Sequence, residues 1–383
     1  MVWTEKSTVS LRQEFVWLAS QEGANKRELC RRFGISPKTG YKWLGRFEAA
    51  SGDVQSLHDR SRRPLNSPGR SDEATEQAVL AVRCKHPAWG GRKIARRLAD
   101  LGKAEVAAST VNHILRRHGL ISDAASDAAR PWQRFEHDAP NSLWQIDFKG
   151  HFPTQAGRYQ ALTLLDDHSR FNLCLHALTR TNTSTVRQHL IQVFERYGLP
   201  LRINADNGSP WGTPKASGNS LSDLAIWLIR QGVRVSFSAP HHPQTNGKLE
   251  RFHRTLDVEV LAPGKFADLA AVQRAFDAWR PKYNCHRPHE ALDLGTPVQR
   301  YQPSQLAYSE VLRPIEYPDT DCVVTVKWNG FTTFQGRRLH VSSSLQGLPI
   351  GIRPSGEVDG VYDVYFCHQC FAQFDLREPL VDT

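Results

Sequence analysis

The chain has 383 residues and a formal net charge of +10 at pH 7, with 40% hydrophobic and 23% charged residues. That length calls for two to four domains, and the composition excludes a largely disordered chain. No run of about 18 apolar residues occurs, the opening MVWTEKSTVSLRQEF has no apolar signal core, and seven scattered cysteines do not form a secreted disulfide framework. A cytoplasmic, nucleoid-associated protein without a membrane span is expected. CHQC at 367–370 has the spacing of half a zinc site, but no second pair completes it and two ordinary thiols are expected.

The positive excess is localised. Residues 1–118 carry all of it, and bases and acids balance over 119–383. A basic third joined to a neutral remainder is the electrostatic pattern of a nucleic-acid-binding region attached to another activity.

Residues 1–50 read as a first helix-turn-helix unit. A helix with Leu11, Phe15 and Leu18 on its apolar face is followed by a second opening at Asn25, a turn at Gly34, and a third capped by Ser36 with Pro37 at its first position. Lys38, Thr39, Tyr41 and Lys42 then lie near the N-terminal end of a recognition helix while Trp43, Leu44 and Phe47 face inward. Residues 51–70 are arginine-rich and broken by prolines. They read either as an inert linker or as an arm placing Arg60, Arg62 and Arg63 in a minor groove.

Residues 71–125 hold a second unit. Ile94 and Leu98 mark one helix, and Ser109 caps another with Val111, Ile114 and Leu115 inside and Thr110 and Asn112 as DNA-facing candidates. After a linker at 126–137, residues 138–310 read as three strands followed by helix, strand, helix, strand, helix, with Asp166-Asp167-His168-Ser169 as a hairpin turn. That order implies a mixed sheet with helices on its faces. Residues 316–383 suggest a small all-β domain, a barrel or sandwich.

Three acids stand out. Read singly, Asp147 is an outward-facing strand residue, Asp206 a turn residue ahead of Asn207-Gly208, and Glu250 a solvated helix acid. Read jointly, they lie inside the first strand, at the end of the fourth, and in the helix after the fifth. If the first and fourth strands are neighbours, the three carboxylates converge and repel, so the cluster requires metal. An oxygen-only donor set suits two Mg²⁺ or Mn²⁺ ions, which would activate a water or 3′-hydroxyl for in-line attack on phosphorus.

WQIDFKG, DDHSR, DNGSPWG, HHPQTNGKLERFHRTL and RPHEAL with TPVQRY, spread over roughly 138–310, resemble the core of DDE insertion-sequence transposases, a ribonuclease H-like fold shared with retroviral integrases. LCRRFGISPKTGYKWL and HPAWGGRKI resemble the N-terminal units of the same group. The resemblance implies all-α helix-turn-helix units, an α/β ribonuclease H-like core and a catalytic triad of Asp147, Asp206 and Glu250. It also implies binding to the element's terminal inverted repeats and to target DNA, with paired ends held by a homodimer or higher oligomer. A catalytically silent DNA-binding regulator and a nuclease that does not join ends are the alternatives.

Lys248, Arg251 and Arg254 are candidates to hold phosphates beside Glu250, with His241, His242, Arg287 and His289 as further DNA-facing candidates. Trp211 either stacks on a base or pins its loop, the latter being expected. Two positions depart from the family pattern: Asp257 stands where a base is usual, and Ala205 where a small hydroxyl residue is usual.

Overall fold

The computed structural model describes residues 8–60, 71–121, 136–213, 220–238, 247–356 and 358–377. Contacts divide the chain into a first unit over 1–70 and a second over 71–383.

In the first unit, α1 (Thr8–Ala19), α2 (Lys26–Arg32) and α3 (Pro37–Ala49) close around Phe15, Val16, Cys30, Trp43 and Leu44. Both expected caps form: the Asn25 side chain accepts from Glu28 N–H and the Ser36 side chain from Thr39 N–H. The α1 face is rotated from the expected one, and Leu11 is 41% exposed. Arg12 takes the inward position, stacking over Trp43 at 3.9 Å and donating to the Leu57 carbonyl at 2.8 Å. Leu57 itself is buried in this unit on a 3₁₀ turn, Val54–Leu57.

The second unit begins with three helices, α4 (Glu73–Lys85), α5 (Gly91–Asp100) and α6 (Ala108–Arg117), packed through Val79, Ile94, Leu98, Val111, Ile114 and Leu115. Sequence periodicity missed α4, although Asp72 caps it by accepting from Thr75 N–H at 2.7 Å. The start of α6 differs from expectation: Ala107 is the N-cap, without a side-chain bond, and Ser109 lies inside the first turn. Packing decides this. A Cβ at Gly91 would lie 2.8 Å from the Ala108 carbonyl oxygen, so the two helix ends meet where only a glycine and small residues fit.

The central sheet is built from β1 (Trp144–Pro153), β2 (Arg158–Asp166), β3 (Asn172–Leu178), β4 (Arg202–Ala205) and β5 (Arg234–Phe237), in the order β3-β2-β1-β4-β5. The first three strands are antiparallel neighbours, and β4 runs parallel to both β1 and β5. Strand alternation sends Trp144, Ile146, Leu162 and Leu164 to one side, against α7 (Thr183–Tyr197) and α8 (Asp223–Arg230). Ala161, Leu165 and Leu175 face α9 (Gly247–Leu256) and α10 (Leu269–Cys285) on the other side. A two-strand ribbon, Gly212–Thr213 with Ser220–Leu221, was not foreseen because two-residue strands have no periodicity.

The C-terminal strands β6 (Cys322–Thr325), β7 (Phe331–Phe334), β8 (Arg337–His340), β9 (Pro349–Pro354), β10 (Val361–Phe366) and β11 (Gln369–Asp375) form a four-stranded antiparallel sheet, β11-β10-β9-β6, and a β7-β8 ribbon. Ile350, Ile352, Val364 and Phe366 join the same core as α8. The Gln369 amide covers the open edge of β5, accepting from Val235 N–H at 3.1 Å and donating to Val235 O at 3.2 Å. Cys367 and Cys370 are free thiols at the β10–β11 hairpin. Among the described residues no helix is long and apolar enough to cross a membrane.

Candidate active site

Asp147 owes its direction to the β1 alternation. Trp144 and Ile146 face the α7–α8 side, which leaves Asp147 on the α9 side, opposite Thr163 of β2. The parallel pairing of Trp144 with Ile203 and Gln145 with Asn204, carried on along the strands, sets Asp206 level with Asp147. Asp206 follows the last residue of β4, and Glu250 lies exposed in the first turn of α9.

Electrostatics links the three. Burial pushes the Asp147 carboxyl up to about 7, and the charges of Asp206 and Glu250 push in the same direction. The Phe148 N–H, donating to Asp147 Oδ1 at 2.7 Å, opposes them. His253, one helical turn beyond Glu250, shares a hydrogen bond with Thr163 Oγ1 at 2.8 Å and has its Nδ1 4.0 Å from Asp147 Oδ2. Burial and the nearby Lys149 bring it down to about 4, so it is neutral at pH 7 and adds no positive charge beside Asp147. From sequence His253 stands among the basic residues around Glu250, one helical turn beyond it, with no role assigned.

Among the described residues no three His, Cys, Asp or Glu side chains form a ready-made metal cage. The donor chemistry nonetheless suits a hard divalent cation: the donors are oxygens, the charges of Asp206 and Glu250 repel that of Asp147, and among the described residues no base lowers the Asp147 carboxyl.

The bases near Glu250 divide. Arg251 and Arg254 are exposed. Lys248 is turned inward, with its side chain 16% exposed and ion-paired to Asp167, which corrects its expected role as a phosphate ligand. Its partner lies 81 positions away at the β2–β3 turn, so local sequence carried no sign of it. Asp257 is paired with Lys149 of β1 at 3.2 Å. Trp211 is buried and rests against Phe148 with ring centroids 5.2 Å apart, so it pins its loop. Arg287 and His289 are buried rather than DNA-facing. Arg287 Nε donates to Glu259 at 2.9 Å, and the same carboxylate accepts from Trp279 Nε1 at 2.9 Å and from Trp89 Nε1 of the second three-helix unit at 3.2 Å. His241 and His242 lie outside the described residues.

Of the other DNA-facing candidates, Lys38, Tyr41, Lys42 and Arg60 are exposed and Thr39 is half-buried. Arg62 and Arg63 lie outside the described residues. Thr110 is half-buried, and the Asn112 side chain packs where a Cβ on Gly91 would fall.

Models of known families match most of this layout. An integrase core domain matches residues 137–243 and again 231–297, a helix-turn-helix domain 11–64, a homeodomain-like domain 39–115, and the C-terminal domain of IS481 family transposases 321–382. An uncharacterized 31.7 kDa protein of insertion element IS407 from Burkholderia multivorans is 28% identical over 161 residues, 42% of this chain and 55% of the relative. The Pro-Pol polyprotein of simian foamy virus type 3 is 27% identical over 205 residues, 50% of this chain and 17% of the polyprotein. The chain therefore spans about half, or less, of these relatives' own length. A solved HTLV-2 integrase catalytic core domain in complex with magnesium is 18% identical, with 43% of this chain and 99% of that one covered and a TM-score of 0.32. Helix-turn-helix domains, an integrase core and an insertion-sequence transposase C-terminal domain are thus joined in one polypeptide.

Proposed function

We propose that this chain, which joins helix-turn-helix domains to an integrase core and a transposase C-terminal domain, is a DNA transposase. It binds the terminal inverted repeats of its own mobile element, cuts a phosphodiester bond at each end, and joins the freed 3′-hydroxyls to target DNA. What supports this reading is that Asp206 and Glu250, on two further elements, both act on the Asp147 carboxyl and raise it in the same direction as burial does.

In the first step a water oxygen forms a bond to phosphorus while the P–O3′ bond breaks and the departing 3′-oxygen takes a proton. In the second, that 3′-hydroxyl loses its proton and attacks a phosphorus of target DNA, displacing another 3′-oxygen. Bound Mg²⁺ or Mn²⁺ ions supply activation of the attacking oxygen and charge stabilisation of the leaving one. Asp147, Asp206 and Glu250 would hold them. Half-buried beside Thr163 and the neutral His253, Asp147 would hold a cation in its ionised form, whose charge would offset the burial and the like charges that raise the carboxyl. Exposed Arg251 and Arg254, on the helix that carries Glu250, receive the phosphate backbone. Lys38, Tyr41 and Lys42 of α3 and Arg60 beyond it engage the repeat. Integrase-type cores use divalent ions and act as oligomers on paired ends, and the same is proposed here.

The test incubates purified protein with DNA flanking its gene and Mg²⁺, comparing wild type with Glu250→Gln. Nicks at the repeat ends and joined products are expected from wild type and neither from the variant. Equal products from both proteins overturn the site assignment, and wild-type nicks without joined products leave a nuclease.

A further inference from the structure

Asp147 and Glu250 lie on different elements, and one buried carboxylate reaches both of them. Asp167, at the turn leaving β2, is 1% exposed. Its Oδ1 accepts from Gln145 Nε2 at 2.9 Å and is ion-paired with Lys248 Nζ, while its Oδ2 accepts from the His137 backbone N–H at 3.0 Å. Gln145 sits two residues before Asp147 on the same face of β1, and Lys248 two residues before Glu250 in the first turn of α9. The turn is itself fixed. Asp166 accepts from the N–H groups of Asn141 and Ser169, each at 2.7 Å, and from Ser169 Oγ at 2.5 Å.

We infer that Asp167 is a positioning residue: through Gln145 and Lys248 it holds β1 and the start of α9 in the relation that lets Asp147 and Glu250 act on one substrate phosphate. This rests on the reading of those two acids given above. The energetics favour a directional role over a packing role. Burying a carboxylate and an ammonium costs several kcal/mol per ion, and an apolar pair of the same volume would fill the space at less cost. What an apolar pair could not do is fix three segments, 137, β1 and α9, by bonds of defined direction. Displacing a reacting group by about 1 Å is enough to cost on the order of a hundredfold in rate.

Asp167→Asn alone would strand the Lys248 ammonium, so the decisive variant is the double change Asp167→Asn with Lys248→Met, accompanied by Gln145→Leu, which cuts one arm and keeps the ion pair. Three readouts are taken: melting temperature, cleavage rate of repeat-end DNA against Mg²⁺ concentration, and Mn²⁺ binding to DNA-free protein by electron paramagnetic resonance. The double variant is expected to melt near wild type, cleave about 10- to 100-fold more slowly, and bind Mn²⁺ about 10-fold more weakly. Gln145→Leu is expected to cleave about 10-fold more slowly. A double variant or a Gln145→Leu protein with wild-type rate and Mn²⁺ affinity overturns the inference. Asp147→Asn separates the two failures. If Asp147→Asn still cleaves, the site assignment falls and this inference with it, whereas a dead Asp147→Asn beside a fully active double variant removes the inference alone.

Discussion

Two carboxylates of one sheet, Asp167 and Asp147, are treated in opposite ways, while Asp166, hydrogen-bonded yet still raised by burial, lies between them in behaviour. Asp166 and Asp167 are almost wholly buried, and N–H, O–H and ammonium donors surround them. Burial alone would raise Asp167, yet Lys248 and the His137 N–H hold it below the ordinary carboxylate value. Asp147, a strand away, is raised to about 7 by burial and by two like charges, against a single opposing backbone N–H. A fold that satisfies one carboxylate with three donors and leaves another in mutual repulsion gives up stability at the second place, as the cation site proposed above requires.

The largest expected contrast is in chemistry. Asp147→Asn and Glu250→Gln should each reduce end cleavage by roughly a thousandfold or more while leaving the melting temperature equal or higher, since a repelling charge is removed. A drop in melting temperature would place Asp147 with the structural acids. Next in size, Asp166→Ala should cost about 3 kcal/mol in urea unfolding, because it strips charge-assisted bonds from buried Asn141 and Ser169 donors. An unchanged midpoint would dissolve the contrast from the other side.

Acid titration sharpens it further. Asp147 has a folded value of about 7 against an ordinary 3.8, so without divalent ions its ionised form disfavours the native state. Wild type should therefore gain stability relative to Asp147→Asn as pH falls from about 7 to about 4, and level off below. Asp167, lowered, works the other way: its contribution is present above 3.8 and is lost only below it, outside that window. His176, lowered to about 4, loses stability over the same window in both proteins and cancels in the difference. A flat difference contradicts the raised Asp147. The smallest effect belongs to an acid outside this contrast. Asp257, 44% exposed and paired with Lys149, should cost no more than about 1 kcal/mol on change to Asn and leave cleavage within a few-fold.

Much of this was legible from sequence where local chemistry decides. Asn25 and Ser36 announced their caps, the run from 138 announced a mixed sheet, and the positions of Asp147, Asp206 and Glu250 followed from strand order once β1 and β4 were taken as neighbours. What escaped depends on partners distant in sequence. Lys248 looks like a phosphate ligand until Asp167 appears beside it, and Glu259 looks like an ordinary helix acid until Trp89, Trp279 and Arg287 converge on it. Leu11 fits an apolar face by periodicity, but the stacking of Arg12 on Trp43 rotates the helix. Ser109 is a good cap by type, and close packing at Gly91 moves the helix start ahead of it.

The central claim, that the repelling acids are built to take divalent cations, is tested most directly by melting wild type and Asp147→Asn at pH 7.5 with and without Mg²⁺. At about 100 times its dissociation constant the ion should stabilise wild type by about 2.7 kcal/mol, a rise of several degrees, and leave the variant unmoved. An equal rise in both proteins, or none in wild type, would contradict it.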